Sequence, residues 1–222
     1  MTLMLAIDTT AGTSVSVLEN GKVLAEIHHD SGMKHAELIG NSIKSVLAIS
    51  GKRPSDLTCV AVGRGPALFT GLRVGIAAAI MFAQGLDLQL FGVISHDALA
   101  LQLLSERAVS GREASVPILV TTDARRGEVY WAVYSGLNQH GLPERVAGPL
   151  VGPLETVRES VREQFGEVDE ATGKVTATSI GRLADLQLAA GIAEQDVSAM
   201  YLRAPDATAP KPNQQFGKRV SG

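Results

Sequence analysis

The chain has 222 residues, of which 45% are hydrophobic and 19% charged, with a formal net charge of −3. This length buries a sizeable core in one large unit or two small ones, and the composition is that of a globular protein. The slightly negative charge excludes a protein that coats nucleic acid through its overall field, while leaving room for a local basic patch. The single cysteine, Cys59, excludes an internal disulfide and implies no oxidising compartment. It lies in the run Thr58-Cys59-Val60-Ala61-Val62 and reads as a buried thiol rather than a nucleophile.

The apolar opening Met1 to Ile7 has no basic residues before it and is interrupted by Asp8. It is therefore neither a signal peptide nor a membrane span. No other segment approaches the roughly 20 apolar residues that a spanning helix needs, so a cytoplasmic protein with no membrane partner is expected. Leu3 to Asp8 reads as a buried strand. Ser14 to Glu19 alternates and reads as a second, and Lys22 to His28 as a third. Between the last two, Asn20-Gly21 is a hairpin signal, because a type I′ turn needs positive φ at both central positions.

His35 to Ser50 has helical periodicity, with Ile39, Ile43, Val46 and Leu47 on one face and Gly51 as a stop. Leu57 to Val62 is apolar throughout and reads as a strand buried on both faces. After the loop Gly63-Arg64-Gly65-Pro66, Thr70 is placed to cap a helix over about Gly71 to Gln84. That helix is apolar on nearly every side and carries Gly71, Gly75, Ala79 and Ala83 at four-residue spacing. Two glycines inside a helix cost roughly 1 kcal/mol each against alanine. A stripe of small residues that lets another helix approach closely explains the cost. A strand over Leu90 to Ile94 and a helix over His96 to Leu104 close the first half.

Residues 105–115 are polar and read as a connector. The opening pattern then returns. A strand over Val116 to Thr122 ends at Asp123, the turn Ala124-Arg125-Arg126-Gly127 follows, and Glu128 to Tyr134 alternates. A third strand is expected near Arg145 to Val151. Leu154 to Phe165 and Thr178 to Ala190 read as helices, Gly166 to Thr176 as a polar loop, and the tail from Ala204 as irregular. Meander, helix, strand, helix and strand, met twice, is the α/β plan of two ribonuclease-H-like, actin-like (ASKHA) subdomains. Each carries a mixed five-stranded sheet flanked by helices, the second half being reduced. The expected division is 1–104, 116–203 and an irregular tail, 204–222.

Sites for chemistry are sparse. Asp8-Thr9-Thr10, with Arg64 from the later loop, could meet phosphate and Mg²⁺, since a short turn offers backbone N–H groups and a carboxylate. The other reading is that Thr9 and Thr10 form the turn and Asp8 satisfies its backbone. The glycine that nucleotide-binding members of the fold place after the Asp-x pair is missing, as are the paired glycines that hold adenosine. The histidines 28, 29, 35, 96 and 140 include no i,i+4 helical pair, so no metal site is expected. There is no G-x-S-x-G, and no catalytic residue is assigned.

The stretch Gly63-Arg64-Gly65-Pro66-Ala67-Leu68-Phe69-Thr70-Gly71-Leu72-Arg73-Val74-Gly75 is similar to the signature of the TsaB family, also called YeaZ. Leu5-Ala6-Ile7-Asp8-Thr9, His35-Ala36-Glu37, Asp123 to Tyr130 and Tyr201-Leu202-Arg203 resemble further segments of that family. Ala67 and Leu68 depart from it, standing where glycine and serine are usual. The resemblance implies a glycoprotease-like protein without a protease site. It would act as a non-catalytic subunit in the threonylcarbamoylation of N6 of adenosine 37 in tRNAs reading ANN codons. The implied partners are a TsaD-type catalytic subunit that carries the metal-binding His-x-x-x-His, a TsaE-type ATPase, and a second copy of the chain when TsaD is absent. Contact with tRNA would be indirect. No cofactor is implied for this chain, with ATP or ADP at the subunit junction at most. The partner surface expected on the two first-half helices comprises His35, Ile39, Ile43, Gly71, Val74, Gly75, Ala78, Ala79 and Phe82. The alternative of a different class is a small-molecule kinase or ATPase of the same fold, and a peptidase is the third.

Overall fold

The computed structural model describes residues 1–30, 34–110 and 116–203. The first sheet is built from β1 (Leu3–Asp8), β2 (Thr13–Glu19), β3 (Lys22–His29), β4 (Cys59–Gly63) and β5 (Gln89–Val93), in the order β3-β2-β1-β4-β5. β1, β2 and β3 pair antiparallel; β4 joins β1, and β5 joins β4, in parallel. Asn20 and Gly21 take φ of 49° and 73°, the double positive φ that their hairpin requires. α1 (His35–Ser50) ends at Gly51, whose φ of 67° turns the chain off the helix.

The second sheet contains β6 (Ile118–Asp123), β7 (Glu128–Leu137), β8 (Pro143–Pro153) and β9 (Asp169–Thr172), in the order β8-β7-β6-β9. It repeats the antiparallel meander and the first parallel strand but, among the described residues, has no counterpart of β5. The second half is thus the reduced one.

Strand alternation decides the layering. Leu3, Leu5 and Ile7 of β1 enter one core with α1 and α2 (Phe69–Gly85), while Met4 and Ala6 enter another. That second core fills the space between the sheets. It takes Ala98, Leu99 and Leu104 from α3 (Ser95–Val109), Ile180 and Leu183 from α5 (Ala177–Ala189), and Ile118, Val120 and Tyr134 from the second sheet. The outer face of that sheet packs on Val157 and Val161 of α4 (Leu154–Phe165). The stack is therefore helices, sheet, helices, sheet, helix. Among the described residues no helix is long and apolar enough to cross a membrane.

Several expectations are corrected. α2 starts at Phe69, so Thr70 lies inside its first turn and does not cap it; extended Leu68 feeds the chain straight in, with no side-chain cap. α3 runs on to Val109 through what reads as a connector. Its polar residues lie on the outside, where Gln102 Nε2 donates to Glu106 Oε1 at 3.1 Å. The polar segment after α4 contains β9, whose acidic residues hide a strand held by its parallel ladder with β6. α5 belongs to the second segment of the sequence but lies against the first sheet, where Ala177 N donates to Ser14 Oγ at 2.8 Å. The tail 204–222 and the end of the connector fall outside the described residues.

Candidate functional site

A cleft of about 610 Å³ opens between the two halves. Its floor is the β1–β2 turn (Thr9 to Gly12), its walls are the starts of α2 and α3, and its rim carries Asp30, Asp123, Arg125 and Lys174. Behind this floor Asp8 is 1% exposed. Its Oδ1 accepts from Thr10 N at 2.8 Å and Thr10 Oγ1 at 2.6 Å, and its Oδ2 from Ser95 Oγ at 3.3 Å. Burial pushes the Asp8 carboxyl up to about 6, against the opposing effect of these bonds. Of the two readings of Asp8-Thr9-Thr10, the geometry takes the turn: Asp8 satisfies the backbone and hydroxyl of Thr10, and Thr9 Oγ1 donates to Gly71 O at 2.9 Å.

Arg64 is likewise held by the chain itself. Its Nη1 donates to Asp196 at 2.7 Å and its Nη2 to Glu194 at 3.0 Å. The loop backbone is used too. Arg64 N donates to Val93 O, Gly65 N to Ser95 Oγ, and Arg64 O accepts from Met200 N at 2.8 Å. The segment after α5 is thus a strap, which also takes a bond from Gly92 N to Glu194 O. It ends at Arg203, which donates to Ala124 O and pairs with Glu128 at the β6–β7 turn. Both central arginines of that turn, Arg125 and Arg126, have positive φ.

Ser95 carries no site signal in the sequence, and His96 only its place in the histidine set, although the two mark the switch from apolar strand to helix at the C-terminal end of β5. His96 is 1% exposed, and its Nε2 lies 3.1 Å from Thr122 Oγ1 of the second sheet. Burial, helped by the Arg145 charge, lowers its pKa to about 4, so the ring is neutral at pH 7. Among the described residues no group of three His, Cys, Asp or Glu side chains could hold a metal.

The expected partner surface is also corrected. Gly75 and Ala79 face inward, and His35, Ile39 and Ile43 are buried. His35 Nδ1 lies 2.9 Å from Thr13 Oγ1. A Cβ on Gly71 would lie 2.9 Å from His35 Nε2 and 3.0 Å from Thr9 O. The small-residue stripe therefore receives the β1–β2 turn of its own subunit, because close approach by any backbone selects the same spacing. Val74, Ala78 and Phe82 are half-buried flanks. What α2 leaves outside is a ridge of Arg73, Ala77 and Met81, the last 69% exposed; Ile49 on α1 is 66% exposed.

Two sheets that share an antiparallel meander and a first parallel strand, with a cleft between them, define an actin-like (ASKHA) protein. The family model described as "TsaD: tRNA N6-adenosine threonylcarbamoyltransferase" matches residues 22–152. The Escherichia coli (strain K12) "tRNA threonylcarbamoyladenosine biosynthesis protein TsaB" is 32% identical over 85% of this chain and 79% of its own length. The Bacillus subtilis (strain 168) protein of the same name is 33% identical over 64% of this chain and 58% of its own length. The structure of YeaZ from Pseudomonas aeruginosa superposes with a TM-score of 0.74 over 91% of this chain and 100% of its own, at 24% identity. The chain belongs to the TsaB (YeaZ) family.

Proposed function

We propose that this chain takes part in tRNA threonylcarbamoyladenosine biosynthesis as a non-catalytic scaffold subunit in the cytoplasm. In this reading it docks a TsaD-type subunit, which performs the transfer to N6 of adenosine 37. A TsaE-type ATPase joins the assembly, and the chain pairs with itself when the TsaD-type subunit is absent. Contact with tRNA runs through the partner, and any ATP or ADP sits at the subunit junction.

One observation carries the reading beyond kinship. The groups that would serve a nucleotide in the cleft are spent on the chain's own contacts, Asp8 on Thr10 and Ser95, and Arg64 on Glu194 and Asp196. Meanwhile α2 presents the uncovered residues Ala77 and Met81 to the outside. Apolar side chains left on one helix ridge lose solvent contact only when a partner covers them.

Native mass spectrometry of the chain alone and mixed with the TsaD-type subunit of the same organism tests this. A heteromeric complex that Met81→Asp weakens is expected. No complex with wild-type protein would overturn the reading, and purified chain that turns over ATP by itself would overturn it in favour of an independent kinase.

A further inference from the structure

Arg73 lies in the second turn of α2, and its side chain is held on two sides. Its guanidinium carbon is 3.6 Å from the centroid of the Phe69 ring and 5.6 Å from that of Tyr201. The two rings are 4.5 Å apart and tilted by 32°. Arg73 Nε donates to Tyr201 Oη at 2.8 Å. Its Nη1 and Nη2 bond no described residue. By contrast Arg64, Arg145, Arg158 and Arg203 each hold a carboxylate. Stacking over aromatic faces and one hydrogen bond have thus ordered a long side chain whose paired donors are used by no described residue.

The start of α2 is also short of negative charge, which a helix N-terminus favours. α2 has no side-chain cap and no acidic residue in its first turn. An anion from outside would complement both Arg73 and the helix end. One and two turns further along the same ridge stand Ala77 and Met81, both exposed and apolar. A phosphodiester backbone would find no donors there, whereas a helix from another protein would find apolar surface to bury.

We propose that Arg73 is a preorganised anchor for a carboxylate on a partner protein, an Asp or Glu side chain at one end of an apolar helix laid along Arg73, Ala77 and Met81. Bidentate pairing fixes register as well as affinity. Phe69 and Tyr201 are positioning residues, so the strap that follows α5 helps to build the docking face of α2. The inference rests on the scaffold reading and takes the TsaD-type subunit as the partner.

The test is titration calorimetry of the full chain against that subunit at low and high salt, with thermal melts of every variant. Arg73→Glu is expected to weaken binding roughly 30-fold or more. Arg73→Gln should weaken it less and flatten its salt dependence, which a loss of folding would not do. Tyr201→Ala should weaken it more than Tyr201→Phe, which keeps the ring and loses the hydroxyl. An Arg73→Glu chain that melts like wild type and binds with wild-type affinity and salt dependence would overturn the anchor while sparing the scaffold reading. Loss confined to self-association, or to RNA binding, would overturn it as well. Failure of the wild-type chain to bind would remove the scaffold reading and the anchor with it.

Discussion

Gly75 of α2 is pressed against Thr9 in the turn after β1, so closely that a methyl group on its Cα would run into Thr9 Oγ1. The same hydroxyl donates to Gly71 O one turn earlier, at 2.9 Å. The glycines let a helix lie on the turn that forms the cleft floor. Gly75→Ala is expected to lower stability by about 1–3 kcal/mol through overpacking. Thr9→Ala should cost less and should couple with it, the double variant being more stable than the sum of the two losses. Urea midpoints of the four proteins measure this; simple additivity would show that the two residues do not touch.

Two buried groups at the cleft, Asp8 behind its floor and His96 in its wall, titrate in one pH window with opposite effects. Asp8 is raised from 3.8 to about 6, chiefly by burial. Its folded pKa lies above its unfolded one, so its contribution is fully present below pH about 4 and lost as pH rises through about 6. His96 is lowered from 6.5 to about 4, again chiefly by burial. Its contribution is present above pH about 6.5 and lost as pH falls through about 4. At about 1.4 kcal/mol per unit, each is worth on the order of 3 kcal/mol at most. Asp8→Asn should leave a protein whose stability climbs with pH across this window, and His96→Gln one whose stability falls. Denaturation curves from pH 4 to 7 that stay parallel for all three proteins would contradict the assignment.

Arg64 fastens the strap to the first half through Glu194 and Asp196, both largely exposed. Exposed pairs of this kind contribute little, so Arg64→Ala is expected to lower global stability by only about 1–2 kcal/mol. Its larger effect should be local. Hydrogen exchange at the Gly92 and Met200 amides, whose acceptors lie in the strap and the Arg64 loop, should speed up well beyond the global change. Equal acceleration everywhere would show that the strap is no separate unit.

Tyr134 Oη donates to Asp97 Oδ1 at 2.7 Å between the sheets, and Arg145 Nη1 reaches the same oxygen at 3.1 Å. Tyr134→Phe strips a donor from a buried carboxylate and should cost about 1.5–3 kcal/mol by calorimetric melting. Removal of the carboxylate with Asp97→Asn should shrink that cost.

Much of the layout was legible because it depends on local pattern. The repeated meander, the boundaries of α1 and α4, and the turn at Asn20-Gly21 follow from periodicity and from the φ angles that particular residues tolerate. β9 and the last turn of α3 were not legible, because polar residues on a solvated face look alike in a strand, a helix or a loop. Four-residue spacing of Gly71, Gly75 and Ala79 announced a close approach. It could not say whether the approaching backbone belonged to another chain or to Thr9.

Local chemistry alone therefore determined the family resemblance and the two actin-like halves. Tertiary structure decided the rest. It spent Asp8 and Arg64 on internal bonds, turned the small-residue stripe inward, brought α5 back to the first sheet, and seated Tyr201 beside Arg73 across 128 residues of chain. Contacts at such separations depend on the whole fold, since no neighbouring residue encodes which distant group will occupy a carboxylate, a guanidinium or a glycine face.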